Sequence, residues 1–120
     1  MPKRCLILFL VLFVLSPSIS CARGAIAVDD SRGGGALIFA IVVGASSDNE
    51  AAKAALSKCI SKGGTKCQVL QTFERCGAVS ASNKSYGIGW GIRGRNARIM
   101  SLRNCGSDEC SVVDNQCEDY

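Results

Sequence analysis

The 120-residue chain has no histidine. That absence removes Ser-His-Asp and Cys-His nucleophilic chemistry, and with them every histidine-ligated zinc site. Its eight cysteines include no Cys-x-x-Cys pair, which argues against oxidoreductase chemistry. No apolar run reaches the ~20 residues that a membrane-spanning helix needs; the long ones are Cys5 to Leu15 and Ala36 to Val43. Charge is nearly balanced, with 14 Lys and Arg against 10 Asp and Glu. Without Lys3 and Arg4 the balance is 12 to 10, a net charge of +2. Such a field is too weak to point to nucleic acid.

What is present begins with an export signal. Lys3 and Arg4 form a positive start, Cys5 to Leu15 an apolar stretch, and Ser16-Pro17-Ser18-Ile19-Ser20 a break with small residues for cleavage. The expected organisation is a signal peptide over residues 1–22 and one α+β domain over residues 23–120. A cut before Cys21 and a cut before Arg23 both fit. A lipid anchor on Cys21 is a third outcome, because Ile19-Ser20-Cys21 resembles the end of a bacterial lipoprotein signal, although Ser18 stands where that signal usually has Leu. Cys5 leaves with the signal. If Cys21 is removed or capped, six cysteines remain, an even set that reads as a disulfide framework in a small exported domain. About 100 residues give only a thin core, so three disulfides at ~2–4 kcal/mol each would weigh heavily in its stability.

The folded part is one pattern written twice. Gly24-Ala25-Ile26-Ala27-Val28 reads as a strand, Asp29 to Gly35 as a loop, and Ala36 to Val43 as a strand buried on both faces, paired with the first in a hairpin. Ser47-Asp48-Asn49-Glu50 is a capping box. It opens a helix to about Lys62 with Ala52, Ala55, Leu56, Cys59 and Ile60 on one face. Gly63 suits a left-handed cap. Lys66 to Phe73 reads as a strand with Cys67, Val69 and Phe73 on one side. The second copy runs Gly77 to Ala81, Tyr86 to Ile92, a helix from Ala97 to Asn104 with Asn96 as its cap, and Ser111 to Asp114. Glu118-Asp119-Tyr120 reads as a frayed acidic tail.

Two ββαβ half-repeats predict an α+β fold: mostly antiparallel sheet with two helices on one side, stapled by disulfides. Repeat symmetry selects the pairs Cys59–Cys67, Cys105–Cys110 and Cys76–Cys117 from the fifteen connectivities six cysteines allow. A thiolate zinc site from Cys105, Cys110 and Cys117 is the alternative; an exported context favours disulfides, so no metal and no cofactor is expected.

The ordered set resembles domain-of-unknown-function family 4189, small exported bacterial proteins. Its carriers are Gly24-Ala25-Ile26-Ala27, then Ala51, Ala55, Leu56 and Cys59, then Cys67-Gln68-Val69, Phe73 and Cys76-Gly77-Ala78-Val79. Gly89-Trp90-Gly91, Ala97, Leu102, Cys105, Cys110-Ser111-Val112-Val113 and Cys117 complete it. The chain differs at Ala36 to Val43, where the family's first half usually carries an aromatic-plus-glycine strand. The resemblance implies export and brings no catalytic residue.

Other motifs resolve to structure. Gly89-Trp90-Gly91-Ile92-Arg93-Gly94 matches G-x-G-x-x-G, but its glycines lie inside a strand rather than after one, where they would admit a close neighbour. Asp29-Asp30 and Asp108-Glu109 are sequence neighbours, not carboxylates facing each other at ~5–10 Å across a cleft as glycosidase chemistry needs. Asn83-Lys84-Ser85 is a sequon relevant only to a eukaryotic source.

The reading is therefore a secreted or periplasmic, non-enzymatic binding module with no nucleic-acid partner and no membrane span after signal removal. Its expected contact face is Tyr86, Trp90, Arg93, Arg95 and Arg98, with another protein as partner; Arg103 adds to the arginine cluster, and the plain alternatives are Trp90 as core or a lid over the sheet and the arginines as a solvated surface. An inhibitor or immunity-type protein, a secreted effector, and a structural envelope protein without a discrete ligand are the alternatives.

Overall fold

The computed structural model describes residues 23–118. The expected signal peptide and its cleavage point, with Cys5, Cys21, Asp119 and Tyr120, lie outside the described residues. Eight principal elements follow in order: β1 (Arg23–Asp29), β2 (Ile38–Ala45), α1 (Asp48–Ser61), β3 (Gln68–Phe73), β4 (Cys76–Ala81), β5 (Tyr86–Gly91), α2 (Gly94–Cys105) and β6 (Ser111–Cys117). A single 3-10 turn, Gly34–Ala36, sits in the glycine loop before β2. Each half forms one three-stranded antiparallel sheet, in the orders β2-β1-β3 and β5-β4-β6. The two ββαβ halves of the sequence are therefore two sheets of identical topology, and the class is α+β.

Strand alternation decides the layers. On β1, Ala25 and Ala27 pack with Ala51, Ala55 and Cys59 of α1. Ile26 and Val28 point the other way and join Phe73, Ile41 and Val79, with Tyr86, Ile88 and Trp90 packed against them. In the second half Cys76 and Ala78 face Ala97 of α2. The sheets thus meet face to face, and each carries its helix on one side, the outer one. The expectation of helices on one side holds within each half; across the pair they lie on opposite outer faces. Among the described residues no helix is long and apolar enough to cross a membrane.

The first helix begins as its capping box predicts, with the Ser47 hydroxyl accepting from the Glu50 amide at 3.1 Å. It ends in a Schellman arrangement: Gly64 N–H donates to Cys59 and Gly63 N–H to Ile60, with Gly63 at φ 105°. Its buried stripe is Ala51, Ala55 and Cys59. Ile60, expected on that face, is 56% exposed. Small residues at every fourth position bring the helix so close to the sheet that only a narrow line is covered, and Ile60 falls beside it.

Three further expectations are corrected. Both faces of β2 are covered as expected, by α1 and by the second sheet, yet it is an edge strand and only Ala40 and Ile41 are buried. Phe73 does not share a face with Cys67 and Val69. Ile26 pairs with Gln71 and Ala27 with Val69, so Leu70 is an extra residue, and this bulge reverses the alternation. The same bulge recurs in β6, where Val79 pairs with Asp114 and Ser80 with Val112 around Val113. Finally, α2 starts three residues earlier than its sequence suggests. Arg93, not Asn96, is the N-cap, and no side chain caps it.

All three disulfides of the repeat are formed: Cys59–Cys67, Cys76–Cys117 and Cys105–Cys110. The first and third each tie the end of a helix to the segment that leads into the last strand of its half. The second joins residues directly opposite each other on β4 and β6.

Phe73 joins the halves. Its ring occupies the space where a Cβ on Gly24 or on Gly77 would stand, so it fits only between two glycines at equivalent positions of β1 and β4. Phe73→Ala is expected to lower stability by ~3–5 kcal/mol, and Phe73→Leu by less, because the ring fills the sheet–sheet layer almost completely buried. Urea unfolding monitored by Trp90 fluorescence measures both. A loss under 1 kcal/mol for the alanine variant, on the same scale, would show that the sheets dock without it.

Candidate interaction face

The outward surface of α2 follows from its buried stripe. Ala97, Ser101 and Cys105 face the sheet, so Arg95, Ile99, Leu102 and Arg103 lie on the opposite side at 100° per residue. The structure exposes Ile99 at 43% and, just before the helix, Ile92 at 65%. Arg93, Arg95, Arg98 and Arg103 are exposed around them. The segment from Gly94 to Cys105 holds no acidic residue. By contrast α1 carries Asp48, Glu50, Lys53 and Lys58, a mixed surface of ordinary solvated type.

Close packing beneath α2 comes from β5. Gly87, Gly89 and Gly91 face the helix, and a Cβ at Gly89 would run into the Ala97 carbonyl and the Ser101 amide. The glycine motif is therefore a helix seat, as the sequence suggests. Under it lies a buried hydroxyl pair. Ser101 donates to the Arg98 carbonyl at 2.8 Å, which leaves its oxygen to accept from Ser80 at 2.6 Å. The first half has Ala27 and Ala55 at these positions.

The five residues expected to form one face divide between two layers. Arg93, Arg95 and Arg98 belong to the α2 surface; Arg98 also donates to Asn115 at 3.1 Å, and Asn115 donates to the Gly77 carbonyl. Tyr86 and Trp90 alternate with the glycines, so their side chains point to the far side of β5, into the layer between the sheets. Trp90 is half-buried there. Tyr86 reaches across the halves and donates to Asp30 at 2.7 Å. Burial together with the Asp30 carboxylate pushes the Tyr86 hydroxyl up to about 12, so it stays protonated as a donor. The apolar members Ile92, Ile99 and Leu102 take the place these aromatics would have had. The helical period could have found Ile99 and Leu102, since both lie away from the Ala97–Ser101–Cys105 stripe.

Asp29, expected in a loop, is wholly buried. One carboxylate oxygen accepts from the Ser31 amide and hydroxyl at 2.9 and 2.6 Å; the other accepts from the amides of Thr65 and Lys66 at 2.8 and 3.0 Å. Four donors hold the carboxyl well below the usual carboxylate range. The signal available in sequence was Asp followed two residues later by Ser, an Asx-turn pattern. In the second copy Ser82 takes this place and accepts from the Lys84 and Ser85 amides, both at 3.1 Å. Glu118, expected in a frayed tail, is buried, and its amide donates to the Arg75 carbonyl at 2.8 Å. Asp108 and Glu109 are exposed in the turn after α2.

An open groove of about 560 Å³ lies between the halves at the other end, lined by Leu37, Phe39, Ser82, Asn83, Glu109 and Ser111 among others. Among the described residues no three Cys, Asp or Glu side chains converge as metal ligands.

A family model described as a domain of unknown function, DUF4189, matches residues 24–117. The chain belongs to the DUF4189 family. The match covers both halves, so the repeat is internal to the family domain. No match was found among curated proteins or solved structures.

Asp29 gives a pH prediction. Its folded pKa is depressed, so its contribution to stability is full above the unfolded value of about 3.9 and is lost as pH falls below it. Denaturant unfolding between pH 6 and about 2 should therefore show a steeper acid loss for the wild type than for Asp29→Asn, which starts less stable at pH 6. Parallel curves would mean that the carboxylate does not carry the linkage.

Proposed function

We propose that this DUF4189 domain is a non-enzymatic interaction module that acts in the periplasm or outside the cell. Its partner is a protein with an acidic, partly apolar surface, and its contact face is the outer side of α2. Three disulfides in a domain this small support an oxidising compartment. The observation that carries the reading is the difference between two otherwise matching halves. Both helices rest on small residues, but only α2 and the two residues before it combine exposed Ile92, Ile99 and Leu102 with four arginines and no acid. Arginine beside exposed aliphatic groups is the composition of contact surfaces rather than of neutral ones. The arginines would set orientation and encounter rate, and the aliphatic residues would supply the desolvated centre.

A photo-crosslinking residue placed at Ile99, with the same residue at Lys53 on α1 as the control, tests this in the exported protein. A discrete protein adduct is expected at 99 and not at 53. Arg95→Glu with Arg103→Glu should reduce it by about tenfold, and raised salt should weaken it, since both act on steering and charge complementarity. The exposed substitutions should leave unfolding within ~0.5 kcal/mol of wild type. Equal adducts at both positions, or an adduct at 99 that ignores charge reversal, would refute the assignment.

A further inference from the structure

The three disulfides differ in access and in what their opening would disturb. Cys59 is fully buried in the α1 core, and a Cβ on Gly64 would overlap the Cys67 sulfur. Cys105 and Cys110 close a loop only five residues long in sequence, over the end of α2. Cys76–Cys117 is unlike both. Cys117 is exposed while Cys76 is 3% exposed. The two are paired directly across β4 and β6 with a Cα–Cα separation of 4.1 Å. Pairing from Gly77–Gln116 to Ala81–Ser111 continues beyond the bond, so the ladder holds the strands together with or without it.

The Cys117 sulfur also has a distinctive setting. Three atoms surround the point where a Gly94 Cβ would stand: Asn115 Oδ1 at 2.9 Å, Arg98 Nη1 at 3.2 Å and Cys117 Sγ at 3.3 Å. Gly94 is the first residue of α2, whose N-terminus has no side-chain cap and no acid in its first turn. A sulfur at the positive end of a helix is stabilised as thiolate, and a guanidinium facing the same residue adds to the positive potential there. Arg93 is the N-cap residue of the same turn. Asn115 presents its oxygen to Arg98. Glu118, next in the chain, directs a carboxylate oxygen toward Gly44 of β2 instead. Cys76 Sγ faces the Ile92 carbonyl at 3.7 Å.

We propose that Cys76–Cys117 is a thiol-exchange site whose reactant is a dithiol reductant, and that the other two bonds are structural. A thiolate of the dithiol attacks the sulfur of Cys117, the more exposed residue of the pair; the S–S bond breaks and its electron pair goes to Cys76, which takes a proton. The second thiol of the dithiol then attacks its own sulfur in the mixed disulfide and displaces Cys117 as thiolate. The dithiol leaves as a cyclic disulfide, so two electrons pass to the protein. Neither step needs a Cys-x-x-Cys motif, because strand pairing rather than sequence adjacency brings the sulfurs together. The site borders Ile92 and Arg98, so its state would bear on the α2 face, although the exchange chemistry stands independently of that face's role.

The test is equilibration of the folded protein in dithiothreitol redox buffers, followed by alkylation and peptide mass mapping. Cys76 and Cys117 should be alkylated together at a dithiol-to-disulfide ratio at least about tenfold lower than the ratio that opens either other bond. Far-UV circular dichroism should be unchanged at that point. Arg98→Glu should slow the exchange by roughly threefold to tenfold and raise the pKa of Cys117 in the reduced protein, read by ultraviolet thiolate absorbance. Opening of Cys59–Cys67 or Cys105–Cys110 first, or opening of Cys76–Cys117 only with loss of the folded spectrum, would overturn the proposal. If the order holds but Arg98→Glu changes neither rate nor pKa, the thiolate-stabilising role assigned to Arg98 is wrong, and with it the account of why this bond exchanges.

Discussion

The Phe73 ring lies between Gly24 and Gly77, one from each half, and the arrangement of the sheets depends on that contact. A Cβ at either glycine would overlap the ring, so the two innermost strands approach each other only because both lack one there. The ring reaches this layer because the Leu70 bulge turns the end of β3 over. Without the extra residue, Phe73 would point toward α1, where Ala51 and Ala55 leave no room for it. A local irregularity in one strand thus determines how two half-domains dock. The second copy keeps the bulge, at Val113, but it has Gln116 paired with Gly77 where the first has Phe73 paired with Gly24. One aromatic wedge serves both sheets.

Close approach recurs in the outer layers. Alanines at 27, 51 and 55 bring α1 down onto its sheet, and glycines at 87, 89 and 91 do the same for α2. The inner layer holds the larger side chains Ile26, Val28, Ile41, Phe73 and Val79. The helices are therefore held by fit and by disulfides more than by apolar area. Small variations follow from this tightness: the Ala27–Ala55 contact of the first half becomes the Ser80–Ser101 hydrogen bond of the second, which works because each hydroxyl has a partner at once.

The repeat made most of the fold legible. Cysteine positions relative to each helix and strand were enough to choose the three bonds, and the capping box and Gly63 placed α1 almost to the residue. What remained hidden depends on long-range partners. The face of Phe73 turns on a bulge that β-branched and apolar residues do not announce. The burial of Asp29 depends on amides of Thr65 and Lys66, 36 and 37 residues away. Trp90 and Tyr86 have the composition of an exposed patch, yet β5 directs them inward because its glycines must face α2. The start of α2 is hidden because Arg93 is a poor cap and Asn96 a good one; the helix extends past the better cap because the glycine seat on β5 continues to Gly91.

That poor cap bears on function. Arg93 and Arg95 sit at the positive end of the α2 dipole, where each costs about 0.3–1 kcal/mol, and no acid or capping hydroxyl offsets them. The matching end of α1 has Ser47, Asp48 and Glu50 in all the favourable places. The same scaffold thus contains the stable solution once and departs from it once. Packing cannot explain the departure, since both arginines are exposed. The glycine seat and the Cys105–Cys110 bond tether α2 whatever its first turn contains, which frees that turn to carry charges that a helix held by its own caps would not tolerate. A local departure that the fold does not require is where properties other than stability are looked for, and here it coincides with the contact face proposed for the second half.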